Sequence, residues 1–138
     1  MKVVAFNSSP MMAKGNTSLI LTPFLEGMEA SGAEVRVFYT RQLDINPCHG
    51  DFHCWTRHPG SCYQNDDMAE ILTVAKDAEV WVFASPLFVD GLSGPLKTLL
   101  DRMIPLLSPY VELQDDRCRH PLREDTRGGK VVLVSNCL

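Results

Sequence analysis

Residues 7–18, NSSPMMAKGNTS, follow the short apolar run Val3-Val4-Ala5-Phe6 and lead into a helical pattern that starts near Asn16. A buried strand that passes through a polar loop into a helix aims backbone N–H groups and the positive end of a helix dipole at one spot. That spot suits a phosphate. The hydroxyls of Ser8, Ser9, Thr17 and Ser18 and the amide of Asn16 add donors without adding fixed charge. The stretch carries neither GxxxxGK[ST] nor GxGxxG, which sets aside the P-loop and the dinucleotide fingerprint. Two readings stay open from this segment alone: a loop that holds a phosphate monoester through neutral donors, or an ordinary Ser/Pro/Gly turn.

Outward from this loop the hydrophobic period alternates. Val3–Phe6 reads as a buried parallel strand. Thr17 to about Ser31 carries Leu19, Ile20, Phe24, Leu25 and Met28 at helical spacing and ends at Gly32, with Pro23 expected to kink it. Glu34–Tyr39 is the second strand, and Asn46 to Asn65 is a loop rich in Cys, His and aromatic residues. Asp66 or Asp67 caps a helix through Met68, Ile71, Leu72 and Ala75. Val80–Ala84 is the third strand, ended by Ser85-Pro86, and Gly94-Pro95 opens a third helix. After a polar stretch from Gln114 to Gly129, Lys130–Ser135 supplies the fourth strand. Strands and helices in alternation imply an α/β fold with a parallel sheet and right-handed crossovers. In the doubly wound strand order 2-1-3-4, the ligand cleft lies outside the carboxyl ends of the first and third strands.

The 138 residues form one domain, 45% hydrophobic and 22% charged, as expected of a soluble globular chain. A net charge of −4 without a basic stripe gives no reason to expect nucleic acid as a partner. No apolar run is long enough for a bilayer and no secretory signal is visible, so no membrane partner and a cytoplasmic location are expected. Five cysteines without a signal peptide fit free thiols or a metal site better than a disulfide framework.

Ser85–Gly94, SPLFVDGLSG, is the second decorated strand exit. Pro86 stiffens it, Gly91 and Gly94 allow close backbone approach, and Leu87, Phe88 and Val89 are apolar where a loop is usually wet. A flat apolar ligand such as an isoalloxazine ring would explain them, and so would burial under the neighbouring helix. One flavin mononucleotide (FMN) accounts for both loops, its phosphate at the first and its ring at the second.

The segments SSPMMAKGNTS and SPLFVDGLSGPLKTLLDR, with NDDM after a Cys-rich loop, resemble the NADPH-dependent FMN reductase and iron-sulfur flavoprotein group of the flavodoxin-like superfamily. The resemblance runs over essentially the whole chain. It implies a flavodoxin-like three-layer αβα domain. It places Ser9, Asn16, Thr17 and Ser18 at the FMN phosphate, and Pro86, Leu87, Phe88 and Val89 along the isoalloxazine. The family's loop after the fourth strand donates to the flavin pyrimidine, which points to Asn136. Lys97, Asp101 and Arg102 match the start of the third helix, where Lys97 and Asp101 read as an i,i+4 surface pair.

Cluster-bearing members of the group hold a [4Fe–4S] centre with four closely spaced cysteines in the Cys-rich loop. Here Asp51 takes the second expected position, and Cys62 lies farther from Cys54 than the compact motif allows. A cubane wants four thiolates, so no ordinary cluster is expected. Cys48, Cys54 and Cys62, with His49, His53 and His58 nearby, remain weak metal candidates whose spacing matches no common zinc pattern. The alternative is a loop that packs around Phe52 and Trp55, and the resemblance places Trp55 beside the cofactor site.

The third helix, from Leu96 to Leu107, is apolar over more than one face, and relatives dimerise there. A homodimer or higher homo-oligomer is the expectation. A flavodoxin-like domain also needs a further helix and a fifth strand after Ser135-Asn136-Cys137-Leu138. The chain is therefore expected to be C-terminally incomplete over residues 1–138, with the fourth strand an open edge. A truncated product, a partial chain and completion of the sheet by another chain all satisfy that expectation. The leading function is an FMN-binding oxidoreductase that takes hydride from NAD(P)H and passes electrons to a small-molecule or protein acceptor. No side chain is assigned as a catalytic acid or base, and Asp90 is the charged residue nearest the expected ring. The alternatives are a flavodoxin-like electron carrier without NAD(P)H activity and a cofactor-free binding or assembly module.

Overall fold

The computed structural model describes residues 1–137. In chain order the elements are β1 (Lys2–Asn7), α1 (Asn16–Ala30), β2 (Glu34–Tyr39), α2 (His53–Thr56), α3 (Met68–Asp77), β3 (Val80–Phe88) and β4 (Gly91–Leu92). There follow α4 (Gly94–Asp101), β5 (Glu112–Gln114), β6 (Arg117–Arg119) and β7 (Lys130–Asn136). Short 3-10 turns at Met12–Lys14, Thr40–Gln42 and Ile104–Leu106 link them.

The apolar run of β1 is buried on both faces because it lies between two parallel neighbours, β2 and β3. β7 adds in parallel to the far side of β3, which gives the order β2-β1-β3-β7 and corresponds to the expected 2-1-3-4. Alternation along β1 sends Val3 and Ala5 to one face and Val4 and Phe6 to the other. Val3 and Ala5 pack with Val80 and Val82 against Leu21 and Leu25 of α1. Val4 and Phe6 pack with Met68 and Ile71 of α3 and Leu96 and Leu99 of α4. The result is the expected three-layer αβα domain. Phe6 stacks on Phe38 and on Phe83, with ring centroids 5.7 and 5.5 Å apart, so three strands are stapled by one aromatic row.

Helix α1 ends in a Schellman arrangement: Gly32, at φ +86°, donates its N–H to the Glu29 carbonyl, and Ala33 donates to Met28. Pro23 lies within the helix on its exposed side, where water can satisfy the carbonyl of Leu19 one turn earlier. Asp66, rather than Asp67, bonds the first turn of α3, accepting the Met68 N–H at 3.1 Å.

Three boundaries differ from the sequence reading. β3 does not stop at Ser85-Pro86 but continues to Phe88 and folds back on β4 as a hairpin. Pro86 lies past the last β1 pair, Asn7 with Ala84, where β3 has a neighbour on one side only and a missing donor is tolerated. The third helix stops at Asp101, and Pro105 turns the next residues into a 3-10 turn. Leu96, Leu99, Met103 and Leu106 enter the core, while Leu100 packs against it, so the apolar surplus does not by itself require a second subunit. The polar stretch contains the β5–β6 hairpin, turned by Asp115 and Asp116, both at positive φ. Among the described residues β7 pairs with β3 alone, and no helix is long and apolar enough to cross a membrane.

Candidate functional site

The loop after β1 is built from its own polar side chains. Asn7 accepts the Ser9 N–H on Oδ1 (2.9 Å) and donates from Nδ2 to Ser18 Oγ (2.8 Å). Ser18 in turn donates to the Met12 carbonyl at 2.8 Å. Ser8 donates from both N and Oγ to the Ala84 carbonyl, which ties the loop to the exit of β3. Ser93 N–H donates to Ser85 Oγ (3.0 Å) and Ser135 Oγ to the Ser85 carbonyl (3.2 Å), extending the same lacing to α4 and β7. Serine hydroxyls, those of Ser8 and Ser85 buried, thus tie three strand exits to one another.

Gly15 is the N-cap of α1 and brings no side-chain bond to the helix, leaving first-turn N–H groups such as those of Asn16 and Thr17 without partners inside the helix. A Cβ on Gly15 would stand 2.4 Å from Ser9 Oγ and 3.1 Å from Met11 Cβ, so a larger residue must displace the Ser9 hydroxyl that accepts the Met11 N–H. Thr17 Oγ1 donates to Asn136 Oδ1 at 2.8 Å, joining the start of α1 to the end of β7.

These parts surround a cleft of about 650 Å³, within the size range of a cofactor site. Of the residues singled out from sequence, Ser9, Asn16, Thr17, Pro86, Leu87, Phe88 and Asn136 line it together. Ser18 does not: it lies buried behind the loop, its hydroxyl spent on Met12 and Asn7. Val89 does not either. It sits at the hairpin tip, fully exposed, at φ +45° beside Asp90 at φ +58°. A β-branched residue in the left-handed region is strained, and such strain concentrates at ligand clamps. Met11, Lys14 and Gly15 line the cleft but were not singled out as binding residues; Gly15, alone before the helix start, was the readable signal.

The Cys-rich loop is a separate structure. Asp51 Oδ1 accepts the His53 N–H (3.0 Å) and Oδ2 accepts the Tyr63 hydroxyl (2.9 Å), whose oxygen also meets His49 Nδ1 at 2.8 Å. The bonds from His53 and Tyr63 hold the Asp51 carboxyl below its ordinary range. Burial pushes the Cys54 thiol up, and neighbouring Cys62 and Cys48 add to the shift. Cys48, Cys54 and Cys62 are free thiols around a cavity of about 20 Å³, room for roughly one water. Among the described residues no three His, Cys, Asp or Glu side chains converge as ligands of an ion. Trp55 donates from Nε1 to the Leu107 carbonyl (3.0 Å) and stacks on Phe52, holding α2 to the segment after α4, and it is not among the residues lining the cleft of about 650 Å³.

Arg102 is the residue whose role the sequence concealed. Its side chain is 1% exposed, and it meets Asp66, 0% exposed, with bonds of 2.6 and 3.0 Å. It also donates to the Asn46 carbonyl (2.6 Å) and to Cys62 Sγ (3.4 Å). Burial pushes the Asp66 carboxyl up, but bonds from Arg102 and from the N–H groups of Asn46 and Met68 outweigh it and hold it low. The pair pins the Cys-rich loop to α3 and α4. Lys97 and Asp101 form the exposed i,i+4 pair read from sequence.

Comparison with known proteins agrees with this architecture. A family model described as NADPH-dependent FMN reductase matches residues 1–120. An iron-sulfur flavoprotein of Methanocaldococcus jannaschii is 35% identical over 106 residues, which are 77% of this chain and 53% of that protein. One from Archaeoglobus fulgidus is 34% identical over 105 residues, 76% of this chain and 46% of that one. The chain thus spans about half the length of these relatives. Among solved structures, an NAD(P)H:quinone oxidoreductase from Methanothermobacter marburgensis superposes on 99% of this chain and 65% of its own, with a TM-score of 0.75. At 16% identity that likeness speaks for the fold alone. The flavodoxin-like order of strands, the laced loops at the β1 and β3 exits and the match over residues 1–120 lead to one assignment: the chain belongs to the NADPH-dependent FMN reductase family.

Proposed function

We propose that the chain is an FMN-binding oxidoreductase that takes hydride from NAD(P)H and passes electrons to a small-molecule or protein acceptor. What supports this most is that the phosphate-type loop and the apolar hairpin, far apart in sequence, line one cleft. First-turn N–H groups of α1, with Ser9, Asn16 and Thr17, would hold the phosphate. Leu87 and Phe88 would lie along the ring, and Asn136, oriented by Thr17, would meet its pyrimidine edge. FMN, when bound, supplies the hydride-accepting and electron-donating chemistry. The chain's own part is to bind it, orient it and shield one face of the ring with apolar side chains.

Two relatives are named iron-sulfur flavoproteins, and the Cys-rich loop is where this chain differs from a cluster site. Asp51 lines one cavity with Cys48, Cys54 and Cys62, and both of its oxygens are engaged by His53 and Tyr63. The residues present do not fit a four-thiolate cubane. A homodimer or higher homo-oligomer stays part of the proposal, with exposed Leu19, Ile20 and Phe24 of α1 as apolar surface that association would cover.

The test is anaerobic addition of NADPH to FMN-loaded protein, followed by flavin absorbance. Bleaching at the rate of turnover supports the oxidoreductase. Bound flavin that does not bleach makes the chain an electron carrier, and failure to bind FMN removes the reading altogether.

A further inference from the structure

The Cys-rich loop holds thiol chemistry that the flavin cleft leaves unused. Cys118 lies on the β5–β6 hairpin and Cys137 beside the main cleft, both exposed. Cys48, Cys54 and Cys62 instead line one narrow cavity together with Arg102. The backbone brings two of these three back towards each other. Cys54 sits in the four-residue helix α2, entered through Phe52 in the left-handed region at φ +53°. After α2 the chain reverses at once, the Gly60 N–H donating to the Cys54 carbonyl at 3.0 Å and the Ser61 N–H to the His58 carbonyl at 3.0 Å. Cys62 follows directly on this return. Cys54 feels the charge of Cys62 more strongly than that of Cys48, as the nearer sulfur requires.

The two sulfurs have unlike surroundings. Cys62 Sγ accepts a hydrogen bond from Arg102 Nη2 at 3.4 Å. Asp66 and the Asn46 carbonyl hold that guanidinium in one place, so a fixed cation faces a half-buried thiol. Such a contact stabilises the negative charge that a sulfur nucleophile carries. Burial pushes the Cys54 thiol up and keeps it protonated beside its neighbour. A reactive sulfur next to a resolving thiol is the arrangement of a reversible oxidation site.

We propose that Cys62 and Cys54 form a reversible disulfide switch, in which a hydroperoxide oxidises Cys62 and Cys54 resolves the product. First the Cys62 sulfur attacks one peroxide oxygen: the S–O bond forms, the O–O bond breaks, and the departing oxygen leaves with the thiol proton as water. The Cys54 sulfur then attacks Cys62: the S–S bond forms, the S–O bond breaks, and the hydroxyl leaves with the Cys54 proton as a second water. The two sulfurs lose two electrons and the hydroperoxide takes both. The ring so closed, residues 54–62, ties α2 to the loop that Arg102 anchors.

The test treats the reduced, flavin-free protein with about one equivalent of hydrogen peroxide, alkylates the remaining thiols and maps the peptides by mass spectrometry. A Cys54–Cys62 cross-link is expected, about 2 Da lighter than the two thiols and reversed by dithiothreitol, with Cys118 and Cys137 still alkylated. Cys54→Ser is expected to stop at a sulfenic acid on Cys62 that dimedone traps. Cys62→Ser is expected to form no cross-link and to consume peroxide at least about tenfold more slowly. Where a variant folds poorly, the wild-type map alone decides. Absence of the cross-link, pairing of Cys62 with Cys48, prior oxidation of Cys118 or Cys137, or cross-links between two chains would each overturn the assignment. No step uses FMN, so a failed flavin titration and a failed peroxide reaction are separate results.

Discussion

Asp66 and Arg102 show how much one buried pair governs in a chain this small. Both side chains are essentially out of water, so removing one partner strands the other's charge. Asp66→Asn is expected to cost about 3–5 kcal/mol by urea denaturation, with the same FMN affinity per folded molecule. The pH dependence has a definite sign. The folded Asp66 carboxyl is held below its ordinary value, so its contribution is complete above the unfolded carboxylate range near pH 4. It is lost as pH falls below that range and through the folded value. The urea midpoint of the wild type should therefore drop more steeply between about pH 5 and pH 3 than that of Asp66→Asn. Sequence reading placed Arg102 at the start of a helix but could not see that it turns inward. A lone arginine after a leucine-rich turn has no periodic signature, and only the fold brings Asp66 and Cys62 beside it.

The element that most departs from its sequence expectation is the β3–β4 hairpin. Val89 and Asp90 both take positive φ, the geometry of a type I′ turn, which ordinarily calls for Asn-Gly. Without those residues the turn is invisible in the sequence, and the strand reads as ending at Ser85-Pro86. The Asp115-Asp116 turn between β5 and β6 escaped for the same reason. Strands β1 and β2, by contrast, were legible almost to the residue because continuous apolar or alternating runs leave little choice. Val89→Gly is expected to raise stability by about 1 kcal/mol, read as a higher Tm, because the left-handed strain is released. If Val89 instead leans on the ring when FMN is bound, the same variant loses FMN affinity as its Tm rises, which a parallel titration shows.

At the scale of the whole molecule, the fold brings Ser9, Thr17, Phe88 and Asn136 to one cleft, while Cys48, Cys54 and Cys62 line a separate cavity. Part of this was legible: the two strand exits announced themselves by composition, and Asp51 stands where a four-cysteine motif has its second thiol. What spacing could not show was that Asp51 is occupied by Tyr63 and His53, since those bonds depend on a loop of no regular period. Anaerobic reconstitution with iron and sulfide is expected to leave no stoichiometric iron and no visible absorption beyond the flavin's. Uptake of about four irons per chain would show that the loop opens into a cluster site after all.

If the Asn7–Ser18 loop and the β3–β4 hairpin form one FMN site, the two must bind a single flavin together. Fluorescence titration of FMN with the purified protein measures it most directly. Saturable quenching at one FMN per chain is expected, weakened by about tenfold or more in Gly15→Val, whose side chain would crowd the cradle beside Ser9. Absence of quenching by the folded wild type, or equal quenching by Gly15→Val, would contradict it.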